Sequence, residues 1–314
     1  MDPRLEDLCL RHGVFLRREA LAIGYSDKAI DRHVRDGAWC RVRRGAYVDG
    51  ETWRTAARDE RYRLHVLAAM RQSRTPVVAS HVSAVALHGG PLWGLDLRHA
   101  HLTRRDARTG RKEAGVEQHR GRLEDGDVVE VDQRAVMSAT RTALEVSTVS
   151  DVEAALCVVD DFLRRGLTTL TALQQRYDAM AEWPCTLHTP IVLRLASPLR
   201  ESVGETRLFH LCWRHHLPAP VPQVEIHDAD GVLVARVDFA WPELGVFAEF
   251  DGREKYRRFR RPGESLEDFI VREKQREDRV REITGWRCIR VTWRDLRDPE
   301  RLARRIRGLM TAAA

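Results

Sequence analysis

The sequence predicts an α/β multi-domain protein in three parts: a winged helix-turn-helix over residues 1–52, a mixed α/β region over 53–195, and a second α/β domain over 196–314. Three observations carry this. A capped helix followed by a short basic hairpin stands at the N-terminus. Helical and strand-like segments alternate through the middle. The last part runs helix, three strands, loop, helix, strand, helix. A chain of 314 residues has room for two or three domains of roughly 100–150 residues.

Within residues 1–52, Glu6 to Leu10 is helical in pattern, and Leu16 to Ala22 forms a second short helix that Gly24 breaks. Ser26 caps a third helix, SDKAIDRHVRDG, which Gly37 stops. Trp39 to Val48 reads as a hairpin with Arg43, Arg44 and Gly45 at its tip. In such a module the third helix offers Ser26, Asp27, Lys28, Asp31, Arg32 and Arg35 to a DNA groove. The wing offers Arg41, Arg43 and Arg44 to phosphates or a minor groove. The same small fold also serves as a protein-contact module; the basic wing favours DNA.

Residues 53–195 predict one helix from about Trp53 to Arg71. Strand-like segments follow near Ala100–Thr103, Gly115–His119 and Asp127–Val131, then helices over SATRTALEV, Asp151–Arg164 and Leu170–Met180. The segment SHVSAVALHG holds Ser80, His81, Ser83 and His88. A Ser-His hydrolase needs in addition an oriented acid and an oxyanion hole, and no motif marks either. Ser80 therefore reads as a helix cap, and Ala84, Val85 and Leu87 as core. His88-Gly89-Gly90-Pro91 is too short to cradle a phosphate. The change in pattern near Leu195–Pro198 sets the next boundary.

The C-terminal part carries the most chemistry. Ser202 starts a helix that holds Glu205 in its opening turns, and a strand lies near Pro222–Ile226. VARVDFAW and VFAEFDG are strands split by the turn Pro242-Glu243-Leu244-Gly245. A symmetric hairpin about that turn sets Asp238 opposite Glu249 and Arg236 opposite Asp251. These four then share one face, and Val237, Phe239, Trp241, Val246, Ala248 and Phe250 share an apolar one. Opposed like charges are destabilising unless something lies between them. A hard divalent cation such as Mg²⁺ suits oxygen-only ligands; a solvated acidic face partly neutralised by Arg236 is the alternative. Arg257, Arg258, Arg260 and Arg261 then follow in a loop that could track a nucleic-acid backbone or be simply solvated, with Tyr256 and Phe259 interleaved. Ser265 caps a long helix ended by Gly285. GWRCIRVTW is a buried strand with Ile289, Val291 and Trp293 on one face, and Pro299 opens a last helix.

Composition bounds the partners. Formal net charge is +6 with 53 Lys and Arg against 47 Asp and Glu, compatible with nucleic acid. The six cysteines are scattered without a C-x-x-C; Cys212, His215 and His216 form a cluster lacking the second ligand pair that a structural zinc site requires. A reducing cytoplasm fits, with no signal peptide and no apolar run near the ~18 residues of a membrane span.

The stretches GETRL, RVDFAWPE, AEFDGREKY and EKQREDRVREITGWRCIRVTW resemble the PD-(D/E)xK nuclease fold, a restriction-endonuclease-like α/β domain, and most closely its branch of Vsr-type mismatch endonucleases and small "endonuclease domain" proteins. Residues 12–48 and SHVSAVALHG resemble the AbiEi-type antitoxin and regulator family. The first resemblance implies an Mg²⁺- or Mn²⁺-dependent endonuclease in bacterial defence, toxin–antitoxin activity or DNA repair. Asp238, Glu249 and Glu205 would be its metal ligands, and Asp251 stands where the family usually has Lys. Lys255 or Lys274 would then supply the missing cation, with Asp278 matching an acidic Vsr-type position. The second resemblance implies a DNA-binding regulator or antitoxin with a cognate toxin as partner, the nuclease fold being kept as scaffold. Two cuts in a duplex would favour a homodimer or a second binding event.

Overall fold

The computed structural model describes residues 1–106, 110–180, 183–251 and 263–311. They form two compact units: Met1–Val158 with Gly166–Leu195, and Val159–Arg165 with Ala196–Ala314. None of the described helices is long and apolar enough to cross a membrane.

The first unit opens with α1 (Pro3–His12), β1 (Phe15–Leu16), α2 (Arg17–Ala22), α3 (Asp27–Arg35), β2 (Trp39–Arg43) and β3 (Ala46–Asp49). Local chemistry sets these bounds. Asp2 caps α1 by accepting from the Arg4 amide at 2.9 Å, and Pro3 occupies a first-turn position whose amide needs no partner. Ser26 Oγ accepts from the Ala29 amide at 3.3 Å. The expected hairpin is present and gains a strand, in the order β1-β3-β2. Leu5, Phe15, Ala20, Ile30, Trp39 and Tyr47 make the core beneath it.

The helix expected over Trp53–Arg71 is two helices, α4 (Gly50–Thr55) and α5 (Arg58–Gln72). Asp49 caps α4 through the Glu51 and Thr52 amides. The Arg61 guanidinium closes its far end by donating to the Trp53 and Arg54 carbonyls at 3.1 and 3.3 Å. A side chain from the next helix thus satisfies the orphaned carbonyls that would otherwise favour a continuous helix.

Next come β4 (Val77–Ala79), α6 (His81–Leu87), β5 (Ala100–Arg104), β6 (Lys112–Glu113), β7 (Val116–Arg120), β8 (Val128–Val131), β9 (Arg134–Met137), α7 (Ala139–Val149), α8 (Val152–Arg164), α9 (Leu170–Asp178) and α10 (Thr189–Leu195). The six strands form one sheet ordered β6-β7-β5-β4-β9-β8. β5 is parallel to β7 and antiparallel to β4, which is parallel to β9. Ala84, Val85 and Leu87 are core as expected. Ser80 sits at the cap position of α6 but makes no capping bond from its side chain; Glu145 takes that place by accepting from the His81 amide at 2.9 Å.

The second unit holds α11 (Val203–Arg214), β10 (Val221–His227), β11 (Leu233–Trp241), β12 (Val246–Asp251), α12 (Leu266–Thr284), β13 (Arg287–Thr292) and α13 (Pro299–Thr311). Its sheet runs β10-β11-β12-β13, antiparallel except for the parallel β12–β13 pair. A parallel neighbour requires a crossover, and α12 lies in it. A Cβ on Gly204 of α11 would meet the Phe250 ring at 2.0 Å, so glycine permits that helix to lie close on β12.

Both faces of this sheet are covered. Phe239, Trp241, Val246, Ala248 and Phe250 pack with Leu208, Ile306 and Met310 on one. Val237, Ala240 and Phe247 pack with Val280 of α12 on the other. Val237 therefore departs from the apolar face expected for it. The change falls between Val237 and Phe239, where the pairing of β10 with β11 keeps its register and the neighbouring Gln223 has φ 54°. Trp293 lies beyond the end of β13 and is partly exposed, unlike buried Ile289 and Val291.

Candidate functional site

Helix α3 presents Lys28, Arg32 and Arg35 on its exposed face, at the i, i+4, i+7 spacing of one helical stripe. Asp27 shares that face and is ion-paired to Arg17. Asp31 lies 3.8 Å from Arg41 of β2. The opposite face of α3 is fastened by aromatic packing. His33 stacks on Trp39 with centroids 4.6 Å apart, and Tyr25 lies 5.1 Å from the same indole.

The wing tip is placed differently from the expectation. Arg43 does not project freely: its guanidinium donates to the Ala114 carbonyl at 3.2 Å, and burial lowers its pKa. The Arg44 carbonyl accepts from Gln72 Nε2 at 2.9 Å and the Gly45 carbonyl from the Arg17 amide at 2.9 Å, so the tip is docked within its unit. Arg44 and Arg41 keep exposed side chains. Arg18, exposed on α2, adds a cation that the sequence reading passed over; its place in the helix before α3 was the available signal.

In the second unit the hairpin register is the expected one as far as Phe239 opposite Ala248. Beyond that pair Asp238 turns its carboxylate to the backbone, where Oδ2 accepts from the Phe250 amide at 2.7 Å. Asp238 and Glu249 are both buried, at 8% and 5% exposed, rather than on a solvated face, and Glu249 meets Arg276 of α12. Glu205 is tied to the helix start: Ser202 Oγ, the N-cap side chain, accepts from its amide, and its carboxylate accepts from Ser202 Oγ at 2.8 Å and from the Glu201 amide at 2.9 Å. It also accepts from Gln223 Nε2 at 3.0 Å. Gln223 lies between Pro222 and Val224, which pair with Phe239 and Val237 on either side of Asp238.

The charged side chains around these acids are placed as follows. Arg236 pairs with Glu201 at 2.6 Å, and Asp251 takes Arg290 at 3.0 Å. Lys274 is exposed, as is Asp278. The cation beside Glu249 is Arg276, at 3.1 Å, which also reaches Glu273. Burial alone would lower the Arg276 pKa; Glu249 and Glu273 outweigh it and raise the value. Counting back along the helix from buried Val280 finds Arg276 and Glu273 on the sheet-facing stripe, whereas Lys274 falls off it. Lys255, Arg257, Arg258, Arg260 and Arg261, with Tyr256 and Phe259, lie outside the described residues. Cys212 is core and His216 is exposed, whereas His215 is half-buried with its Nε2 buried and without a hydrogen-bond partner.

Comparison with known proteins bears on the first of these sites. Residues 4–48 match the family described as "Transcriptional regulator, AbiEi antitoxin", which supports the N-terminal resemblance. The match does not extend to the nuclease resemblance of the C-terminal part. Two uncharacterized proteins of Mycobacterium tuberculosis, MT2308 of strain CDC 1551 / Oshkosh and Rv2248 of strain H37Rv, are each 34% identical over 116 residues, which is 37% of this chain. The chain spans 39% of the length of these curated relatives.

Proposed function

We propose that this chain is a DNA-binding transcriptional regulator of the antitoxin type, acting in the cytoplasm on DNA and paired with a cognate toxin. The observation that carries the reading is the exposed stripe Lys28, Arg32 and Arg35 on the third helix of a module that matches an antitoxin-regulator family. A helix of this kind enters a major groove with its N-terminal residues at the base edges. Arg41 and Arg44 lie on the adjoining wing for phosphate contact, while Arg43 holds the wing in place. A homodimer would read two half-sites about 34–36 Å apart. Gel shift on duplex DNA from upstream of the chain's own gene tests this. Specific binding weakened by Arg32→Ala is expected, and binding indifferent to that substitution contradicts it.

A second reading is favoured by one observation: Asp238 and Glu249, the residues next beyond the last pair of the β11–β12 ladder, Phe239 and Ala248, are both buried carboxylates, as is Glu205. Carboxylate oxygens are the right donor type for Mg²⁺ or Mn²⁺, which would supply Lewis-acid stabilisation of a phosphodiester's developing charge. Against it, Arg276 and Arg290 already compensate Glu249 and Asp251. Metal-dependent nicking of supercoiled plasmid, lost in Asp238→Ala, would establish this reading; no cleavage by either protein leaves the regulator alone.

A further inference from the structure

Three histidines meet in the six-stranded sheet of the first unit. His81 opens α6 directly after β4, His101 lies on β5 and His119 on β7. One ring nitrogen from each lies within 4.8 Å of the other two. His101 Nδ1 and His119 Nε2 are 2.9 Å apart and share a hydrogen bond. The His81 ring stacks on His119 with centroids 3.9 Å apart. His81 and His101 are buried and His119 is half-buried.

Two independent features mark the cluster as more than packing. The first is strain. His81 has φ 49°, a left-handed conformation that costs a non-glycine residue about 1–3 kcal/mol and persists where the surroundings enforce it. Glu145 enforces it, accepting from the His81 amide at 2.9 Å and lying 3.5 Å from Nδ1. Glu145 is itself fixed by Arg141 at 2.9 Å, and Arg141 by Asp127 at 2.6 Å. The second is an orphaned hydroxyl. Thr103 Oγ1 is buried without a hydrogen-bond partner. Thr103 follows His101 by two residues on β5 and pairs in register with His119, so all three share a sheet face.

We propose that His81, His101 and His119 bind one borderline transition-metal cation of the Zn²⁺ class, with Glu145 as the carboxylate that orients His81. Imidazole donors select Zn²⁺, Cu²⁺ or Ni²⁺ over Mg²⁺. Ligating histidines are ordinarily steadied by a carboxylate. Burial lowers the pKa of all three rings, that of His101 to about 4, so each is neutral near pH 7 and has a lone pair to offer. Two nitrogens at ~2.0–2.1 Å from a tetrahedral Zn²⁺ stand about 3.3 Å apart. The His101–His119 pair needs to open by only about half an ångström from that bond distance. The shared proton moves to the other nitrogen of its ring by tautomerisation, so both imidazoles stay neutral. A water as fourth ligand would give the Thr103 hydroxyl a partner.

The test uses the full chain, stripped of metal and equilibrated with Zn²⁺ alone. Elemental analysis after dialysis is expected to give one Zn²⁺ per chain, with affinity lowered at least about tenfold in His101→Ala and about 10–100-fold in Glu145→Gln. His216→Ala, at an exposed histidine of the second unit, leaves it unchanged. X-ray absorption of the Zn²⁺-loaded wild type needs no variant and is expected to show imidazole scattering. A shell of oxygen alone, no bound Zn²⁺ in the wild type, or affinity unaltered in a folded His101→Ala protein each overturns the proposal.

Discussion

The imidazole of His33 lies 4.6 Å from the indole of Trp39, centroid to centroid, with the ring planes 28° apart. This contact joins the helix that carries Lys28, Arg32 and Arg35 to the first strand of the wing. Trp39 also packs edge-on to Phe15 at 4.8 Å. One side chain therefore sets the angle of the basic stripe.

Trp39→Ala should cost about 3–5 kcal/mol, the usual range for removing a buried aromatic ring. DNA binding should fall with it although no charge has changed. Urea unfolding followed by circular dichroism measures the first effect, and a gel shift the second. An unfolding midpoint equal to wild type contradicts the assignment of Trp39 as the keystone of this core.

Arg43 and Arg32 should behave as different kinds of residue. Arg43 donates to the Ala114 carbonyl, so Arg43→Ala should lower stability by about 1 kcal/mol and leave the salt dependence of DNA binding unchanged. Arg32 is exposed on α3, and Arg32→Ala should reduce the slope of log K against log salt by about 1 if it meets a phosphate. Fluorescence anisotropy over a salt series separates the two.

The buried pair Asp160–Arg200 should dominate the stability of the second unit. Arg200 reaches both carboxylate oxygens of Asp160, at 2.5 and 2.8 Å, and Thr206 Oγ1 donates to the same carboxylate at 2.8 Å. Arg200→Ala strands a buried charge and should destabilise by about 3–5 kcal/mol. Arg301→Ala, on the exposed side of α13, should stay within about 0.5 kcal/mol. Equal midpoints for the two variants would remove the argument.

Acid should weaken the first unit through its histidines. A base whose folded pKa is depressed binds fewer protons folded than unfolded, so its stability is full above the unfolded value near 6.5. That contribution is lost as pH falls toward the folded value, about 4 for His101. Burial of the ring is the main cause; His119, His99 and Lys112 lower the value further and Glu117 opposes them. Metal-free wild type should lose melting temperature between pH 6.5 and pH 4.5 more steeply than His101→Asn. Parallel curves contradict the burial of a neutral His101.

Legibility in the sequence followed the range of the interaction. Ser26 as a cap, Gly37 as a stop and the Trp39–Val48 hairpin are decided within a few residues, and each is present. The destination of Arg43 was not legible, because its partner Ala114 lies 71 residues away. The break between α4 and α5 carries no glycine or proline; it rests on Arg61 folding back to the carbonyls of the preceding helix. The acids Glu205, Asp238 and Glu249 were legible as candidates; beside Glu249 the structure places Arg276, a residue the sequence did not single out, and Lys255 lies outside the described residues. Helical phase turns Arg276 toward the sheet and leaves Lys274 outside. His81, His101 and His119 come from three separate strands or strand ends, and no spacing rule links them.

The most direct test of the central claim is the affinity of the full chain for upstream duplex DNA across a salt series, beside a Lys28→Ala, Arg32→Ala, Arg35→Ala triple variant. The account predicts wild-type binding that weakens steeply with salt. It predicts a folded triple variant with no preference over unrelated DNA and a salt slope shallower by about 2–3. A triple variant that binds the same duplex as tightly and as selectively as wild type would contradict it.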